Sequence, residues 1–462
     1  MIPDRLQPLL AETDELAARF ERAGFRLYLV GGVVRDALVG RLAGDYDLDF
    51  TTEARPDEIE AIVAGWADAV WLQGRRFGTI GLRKGERVME ITTHRAEVYH
   101  PDSRKPDVEF ADAIEADLAR RDFTINAMAL ALGSPEPRLI DPFDGLSDLI
   151  GHRLRTPLSP EISFSDDPLR MLRAGRFIAG YHLAPDKELV EAVTRLRRRL
   201  EIVSDERIRD ELDKLMVVED PSEGLWFLVN TAVAEEFLPE LPAMALEQDP
   251  IHRHKDVLAH TIAVVSKTRP DRILRLAALF HDVAKPKTRS FGPGGTVSFH
   301  HHEVVGARMT RDRMRALKYS TQDISDVSQL VELHLRFHTY KMGWTDSAVR
   351  RYVRDAGPQL VRLNELTRCD CTTRNVAKAR TLARRMDDLE ERIAALQERE
   401  EIAALRPDLD GNEVMAHLGL KPGPEVGKAL NFLFDVRLDE GPLTKDEAKA
   451  RLDAWWKARQ PQ

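Results

Sequence analysis

Strand-like patterning in this chain is confined to one stretch, and that confinement decides the fold class. Between residues 25 and 150, β-prone runs alternate with helical ones. Residues 27–30 form a short strand ending in Gly31-Gly32, residues 45–50 alternate acidic and apolar side chains at period two, and 77–82 and 87–93 read as two further strands. Residues 1–24 read as one amphipathic helix, and beyond about 150 the period is helical nearly to the end. Such a chain is α+β: an N-terminal head with a small mixed sheet and helices, followed by an elongated all-α body. Its 462 residues divide into a head at 1–150, a helical neck at 151–250, a histidine-rich region at 251–375 and a helical tail at 376–462. Within these, 291–295 (FGPGG) is a turn, and 374–404 is a long charged helix expected to be solvent-exposed or tail-like.

Charge and cysteine usage narrow the function classes. A net charge of −9 argues against a protein that coats nucleic acid non-specifically. Arginine clusters at 195–200, 311–318 and 378–386 leave two readings open, a local basic groove or solvated helix faces. No apolar run approaches the roughly 18–20 residues of a membrane span; the best candidate, 225–234, is short and holds Asn230 and Thr231. The acidic N-terminal stretch lacks a basic region followed by an apolar core, so no secretory signal is expected. Only Cys369 and Cys371 occur, which excludes a disulfide framework and points to a reducing cytoplasm.

The chemistry-bearing residues of the head follow its strands. Gly31-Gly32 ends a strand and Val33-Val34-Arg35-Asp36 opens a helix. Glycines there let a triphosphate approach the backbone, free N–H groups face anionic oxygens, and Arg35 can pair with a phosphate. Asp47 and Asp49 lie two apart, so both carboxylates face one side while Leu48 and Phe50 face a core. Such a pair is costly unless a cation bridges it, and Mg2+ there suits phosphoryl transfer. Asp45 shares the parity but lies nearer the strand start, and Glu90 is a third carboxylate on a neighbouring strand. Two further segments are rich in arginine. One sets Arg120, Arg121, Asp122 and Asn126 around a helix start. The other follows Asp166-Asp167 with Arg170, Arg173 and Arg176, a ridge of planar donors beside Leu169, Leu172 and Phe177 that suits a nucleobase edge and a triphosphate.

In order, VGGVVRD at 30–36, Asp47-x-Asp49, RRDFTIN at 120–126, DPFDG at 141–145 and Asp167-x-x-Arg170-x-x-Arg173 resemble the class II CCA-adding tRNA nucleotidyltransferase and bacterial poly(A) polymerase family, over about residues 25–220. The resemblance implies a DNA polymerase β-like head. It implies that Gly31, Gly32 and Arg35 meet the triphosphate, that Asp47 and Asp49 hold Mg2+, and that Glu90 joins them. It further implies that Arg121, with Asp122 and Asn126, handles the ribose. Asp167 and Arg170 read the edges of C and A, and Arg173 and Arg176 help hold phosphates. Residues 204–212 resemble the helix bracing this pocket, and 99–108 the flexible loop tied to the switch to A addition. Two departures stand out: Asp166 replaces a glutamate, and DPFDG replaces DPFGG, so Asp144 has less backbone freedom than the glycine in the segment to which the resemblance assigns a hinge.

Nine of the fourteen histidines fall between 251 and 340, an excess that suggests metal ligation. A helix over 272–280 ends in His281-Asp282 and is stopped by Lys285-Pro286. The ordered set His260, His281-Asp282, His302, His334 and Asp370 resembles the HD phosphohydrolase family, which implies an all-helical domain over about 251–375 with these residues as ligands of a divalent metal of unspecified identity. His302 is preferred to His300 and His301 because His-Glu-x-x-Gly-Ala follows the family's pattern. Near the end, 409–415 and 419–427 read as two short helices whose junction either holds an RNA phosphate or is a plain turn. The expected partners are the tRNA 3′ end, CTP and ATP, and the expected activity is CCA addition. The alternatives are A-only addition by a poly(A) polymerase and a metal-dependent phosphohydrolase acting through the HD domain.

Overall fold

A computed structural model of the chain describes residues 3–42, 44, 46–98, 107–110, 113–133, 136–246, 256–293, 296–342, 344–371, 376–400 and 406–459. The chain forms two compact units, Met1–Pro242 and Ala243–Gln462. Asp45 and residues 99–106 of the expected flexible loop lie outside the described residues.

The first unit is built on a mixed seven-stranded sheet. Its strands are β1 (Leu27–Val30), β2 (Leu48–Thr52), β3 (Ala69–Trp71), β4 (Thr79–Lys84), β5 (Arg87–Thr93), β8 (Ala129–Leu132) and β9 (Arg138–Ile140), with β6 (Arg95–Val98) and β7 (Asp107–Phe110) forming a separate antiparallel pair. The sheet order is β3-β4-β5-β2-β1-β8-β9, and only β2 and β5 run parallel. All four residues of β1 are buried, whereas β2 buries every residue except Asp49. The period-two alternation therefore does what the sequence asked: Leu48 and Phe50 enter the core and Asp49 faces out.

Several boundaries moved. The acidic strand begins at Leu48 and runs to Thr52, so Asp47 sits in the connection just before it. The strand expected at 77–82 starts at Thr79, because Arg75–Phe77 winds into a 3-10 turn closed by Gly78 at φ 81°. The first helix is Gln7–Arg22 behind a short 3-10 turn, and it buries Leu9, Leu16 and Phe20. The DPFDG segment is accommodated rather than strained. Asp144 adopts the left-handed conformation open to aspartate, while the Asp141 carboxylate accepts from Gly145 N at 2.7 Å and Leu146 N at 2.9 Å. Gly145 is the glycine that matters, since a Cβ there would lie 2.1 Å from the Thr124 carbonyl oxygen.

Behind the sheet, helix Arg170–Tyr181 packs against Asp205–Met216 and Ser222–Asn230. The last crossing is close because glycines meet: a Cβ on Gly224 would lie 2.3 Å from Gly175 O.

Among the described residues the second unit is helical apart from a hairpin, β12 (Arg289–Phe291) and β13 (Val297–Phe299), and residues 294–295 of the expected turn lie outside them; β10 and β11, a two-stranded pair at Arg153–Leu154 and Ala184–Pro185, belong to the first unit. Helices Val257–Lys267, Arg272–Phe280, His302–Ala316, Thr321–Leu333 and Leu360–Asp370 surround a buried cluster of histidines. Two expectations are corrected here. The long charged helix, Val376–Glu400, is not tail-like: Met386, Leu389, Ile393 and Leu396 recur three and four apart and are all buried. The pair expected as two short helices is Gly411–Leu418 and the 17-residue Pro424–Glu440, which share a small core around Leu409, Val414, Ala429 and Leu433. Among the described residues no helix is long and apolar enough to cross a membrane.

Candidate active site and metal centre

In the first unit, three sequence-distant features meet at the edge of β1. Asp49 is in register with Val30 of β1 on one side and with Glu90 of β5 on the other. Gly31 follows β1 at φ 81°, and a Cβ on it would lie 3.4 Å from Asp49 Oδ2 and 3.6 Å from Arg121 Nη1. The glycine turn, the outward carboxylate and the arginine thus form one small surface. Asp49 keeps exposed area yet is hemmed in closely by protein. Desolvation pushes its pKa up, Arg121 opposes, and Glu90 and Asp47 add to the rise. Asp47 and Glu90 are exposed beside it. These carboxylates are not drawn together into a ready three-ligand cluster; among the described residues such clusters occur only in the second unit. That spacing suits a cation held by one or two carboxylates and completed by substrate oxygens.

Beneath this surface runs a continuous polar network. Arg35, buried, donates to Asn126 Oδ1 at 2.5 Å and, through Nε and Nη2, to both Asp36 oxygens at 2.9 Å. Its guanidinium also lies 4.4 Å from the Tyr181 ring centroid, and Tyr181 donates to Asp36 at 2.6 Å. The expected triphosphate arginine is therefore turned inward, with each of its three nitrogens engaged by Asp36 or Asn126. Asn126 donates in turn to Asp122 at 3.0 Å, and Arg173 donates to Asp122 through Nε at 2.8 Å. Burial alone would raise the Asp122 pKa, but Arg173, Asn126 and Arg170 hold it well below the usual carboxylate range. Glu211 then joins Arg173 and Arg176.

The expected arginine ridge is likewise not free. Arg170 is buried and donates to Ser163 Oγ at 2.9 Å and to the Arg120 carbonyl. Asp167 pairs not with Arg170 but with Arg207, whose Nη2 donates to Oδ2 at 2.8 Å, while Oδ1 accepts from Leu169 N. Arg121 is the arginine left partly open: it touches Asp117 at 3.3 Å, and its Nε is buried without a hydrogen-bond partner. Sequence reasoning placed Asp36 in its motif without a role and missed Tyr181 and the pairing roles of Glu211 and Arg207. The one available signal was the acid-and-arginine pattern of 204–212, which marks a bracing helix without naming its partners.

In the second unit the six expected ligands come together. Nδ1 of His281, His302 and His334 lies 2.7, 2.8 and 2.6 Å from the carbonyls of Ala278, Phe299 and Val331. Carbonyls only accept, so each Nδ1 carries a proton and each Nε2 is turned inward, a metal ligand whenever the ring is neutral. Nε2 of His302 and of His334 is buried with no hydrogen-bond partner. Within His260, His281 and Asp370, and again within Asp282, His302 and His334, the ligand atoms lie within 4.8 Å of one another. Asp282 joins the two groups, with Oδ2 3.2 Å from His281 Nε2 and Oδ1 3.3 Å from His302 Nε2. Burial and then His281 push His334 down to about 3, whereas Asp282 and Asp370 overcome burial and hold His281 up to about 10. Mixed imidazole and carboxylate donors with orphaned inward nitrogens fit a divalent transition metal. Lys285, 2.6 Å from Asp282, and His338, 3.8 Å from Asp370, border the cluster and were not anticipated there.

Comparison with known proteins follows the same division. Residues 27–155 match the family described as Poly A polymerase head domain, 182–244 the Probable RNA and SrmB- binding site of polymerase A, and 257–402 the HD domain. The chain is 34% identical over 441 residues to an A-adding tRNA nucleotidyltransferase of Deinococcus radiodurans, covering 92% of this chain and 95% of that one. It is 30% identical over 451 residues to a CC-adding tRNA nucleotidyltransferase of Thermus thermophilus, covering 94% of each. Its fold matches the crystal structure of the Bacillus stearothermophilus CCA-adding enzyme in complex with CTP, with a TM-score of 0.71 at 22% identity over 99% of both chains. The chain belongs to the class II tRNA nucleotidyltransferase and bacterial poly(A) polymerase family and carries an HD domain in its second unit.

Proposed function

We propose that this protein extends the 3′ end of tRNA, adding CCA stepwise from CTP and ATP and releasing pyrophosphate. The observation that carries the proposal is the meeting of Gly31, Asp49 and Arg121, with Glu90 in register beside them. Gly31 stands at φ 81°, a conformation that side-chain-bearing residues rarely adopt, so the backbone is kept bare where a triphosphate must approach. The reaction is metal-dependent, and Asp47 and Asp49 would hold Mg2+. Bound there, the ion would clamp triphosphate oxygens and stabilise charge on the attacking and leaving oxygens. Arg121 is the donor placed for the sugar and phosphates. Gly32, Arg35, Asn126, Asp122, Arg173 and Arg176 fix the wall behind it, which keeps the nucleotide's position constant between steps. Asp167 with Arg207 offers an acceptor beside donors, the pattern needed to read the Watson–Crick edges of C and A; Arg170 supports that edge from beneath. In this reading residues 1–150 carry the chemistry, 151–250 the base and RNA contacts, 251–375 the HD site and 376–462 the tail, and the protein works in the cytoplasm.

Two further readings are favoured by specific observations. The 34% identity over 441 residues to an A-adding enzyme favours A-only addition, in which CC is supplied by another enzyme. The buried, unpartnered Nε2 atoms favour a second, metal-dependent phosphohydrolase activity in the HD domain. Incubating the protein with tRNAs ending before CCA, after C and after CC, with CTP or ATP singly, separates the first reading from CCA addition. CCA addition requires two C on the shortest tRNA from CTP alone and one A on the tRNA ending in CC from ATP alone. Incorporation of A alone, only after CC, replaces that reading with the A-adding one, and a run of A identifies a poly(A) polymerase.

A further inference from the structure

One row of register partners crosses the sheet at the transfer surface and continues past it. Val30 of β1 pairs with Asp49 of β2, Asp49 with Glu90 of β5, Glu90 with Gly81 of β4, and Gly81 with Trp71 of β3. Register partners share a face, so Asp49, Glu90 and Trp71 project to the same side, with the bare position at Gly81 between the last two. The indole fills that bare position: a Cβ on Gly81 would run into Trp71 Nε1. Trp71 therefore lies down across β4, in the direction of Glu90. Beside it, the 3-10 turn Arg75–Phe77 brings up a second ring. Phe77 is 42% exposed, and the guanidinium of the exposed Arg76 lies 4.4 Å from its ring centroid. The neighbouring Arg75 is taken by Asp57 and Glu60. Trp71, Phe77, Thr79, Gly81 and Glu90 line one cleft of about 340 Å³. An aromatic, cationic end and a carboxylate of the transfer surface thus share one opening.

In-line phosphoryl transfer sets the attacking and leaving oxygens on opposite sides of the phosphorus. Gly31 and Arg121 mark the triphosphate side, on the β1 flank of Asp49. The attacking hydroxyl then enters from the other flank, over Glu90 and the cleft beyond it. The RNA that carries this hydroxyl ends in a different base at successive steps, so whatever holds that end must not read base edges. Stacking on aromatic rings meets the requirement, because every base has a π-face. Three strand spacings, about 14 Å, separate Asp49 from Trp71 along the row, room for one ribose and its base. We propose that the Trp71–Phe77 cleft stacks the 3′-terminal base of the acceptor RNA, with Arg76 on the phosphate behind it, and so presents the terminal hydroxyl to the carboxylates at each addition. This rests on the nucleotide-transfer reading above and deepens it by assigning the acceptor side of the site.

The test is a double-mutant cycle between ring and base on the full chain. tRNAs ending in C or in CC, each intact or with an abasic last nucleotide, are given CTP or ATP respectively, and single-turnover transfer is timed below saturation with tRNA. Phe77→Ala should slow transfer to intact tRNA about tenfold, the loss expected from one base–aromatic stack. Removing the terminal base should slow wild type by a similar factor and Phe77→Ala no further, while Phe77→Trp should restore the dependence on the base. Half-saturation by CTP or ATP should stay as in wild type. Losses that multiply to about a hundredfold show that ring and base do not meet, and overturn the cleft while leaving nucleotide transfer standing. So does a Phe77→Ala protein that changes nothing, or one that changes half-saturation by nucleotide and not by tRNA. Absence of transfer by wild type removes the nucleotide-transfer reading, and photo-crosslinking of tRNA carrying 4-thiouridine as its last nucleotide then decides the cleft. Adducts on 71–81 that vanish in Phe77→Ala support it, and adducts only elsewhere overturn it.

Discussion

Asp49 acts through where it stands. Its carboxylate is crowded by protein, Glu90 and Asp47, so its charge opposes folding in the absence of a cation. Asp49→Asn should therefore leave the melting temperature unchanged or raise it by up to about 2 °C, as read by calorimetry in metal-free buffer. Asp122 shows the opposite sign. Its folded pKa is depressed by Arg173 and Asn126, so its contribution is fully present above the unfolded value of about 4 and is lost as pH falls through the folded value. Asp122→Ala should cost about 1–3 kcal/mol at pH 7, because it removes the buried acceptor shared by Asn126 and Arg173 and leaves Arg173 with Glu211 alone. In urea melts, the gap between wild type and variant should narrow only below about pH 4. The outward Asp49 was legible in the sequence because period two is a local property of a strand, whereas Asp47, expected on the same strand, falls in the connection before it. The inward turns of Arg35 and Arg170 were not, because what captures them, Asn126, Ser163 and the Arg120 carbonyl, lies on other elements that a motif does not place.

At the scale of elements, the decisive contacts are close approaches that admit no side chain. Gly145→Ala would force a methyl group against the Thr124 carbonyl and should destabilise the first unit by about 1–3 kcal/mol, measured as a shift in denaturation midpoint. The Asp144 position beside it should tolerate Asn and Gly, since it needs only the left-handed conformation. In the second unit, Leu389→Ala on the helix Val376–Glu400 should cost about 2–5 kcal/mol, a loss a tail-like helix would not show. That helix was misjudged because its charge density masks a narrow apolar stripe; counting Met386, Leu389, Ile393 and Leu396 would have exposed it. The strand at 77–82 slipped because Gly78 favours a left-handed turn, a preference that β-propensity ignores. By contrast, helix Arg272–Phe280 and strand Arg87–Thr93 were readable to the residue, since the first pattern ends at His281-Asp282 and the second begins after the Gly85 turn.

The whole molecule carries the proposed nucleotide-transfer surface in one compact unit and a cluster of candidate metal ligands in the other, and the two are chemically unlike. The first offers spaced carboxylates that substrate oxygens must complete. The second presents preformed imidazoles, each oriented by a backbone carbonyl. Metal analysis of the purified protein should accordingly find tightly held transition metal that His334→Ala reduces, whereas Mg2+ should be retained only with nucleotide. The order of the histidine motif was visible in the sequence, but its division into two ligand groups joined by Asp282 required the packing of five helices. The most direct test of the central claim is single-turnover transfer of α-labelled CMP and AMP onto tRNA lacking CCA, by wild type and by Asp47→Ala and Asp49→Ala proteins of unchanged melting temperature. Wild type should label the tRNA, and each variant should be slower by about a thousandfold, the rate equivalent of several kcal/mol of lost charge stabilisation. Labelling by either variant at the wild-type rate would contradict the assignment of these carboxylates to nucleotide transfer.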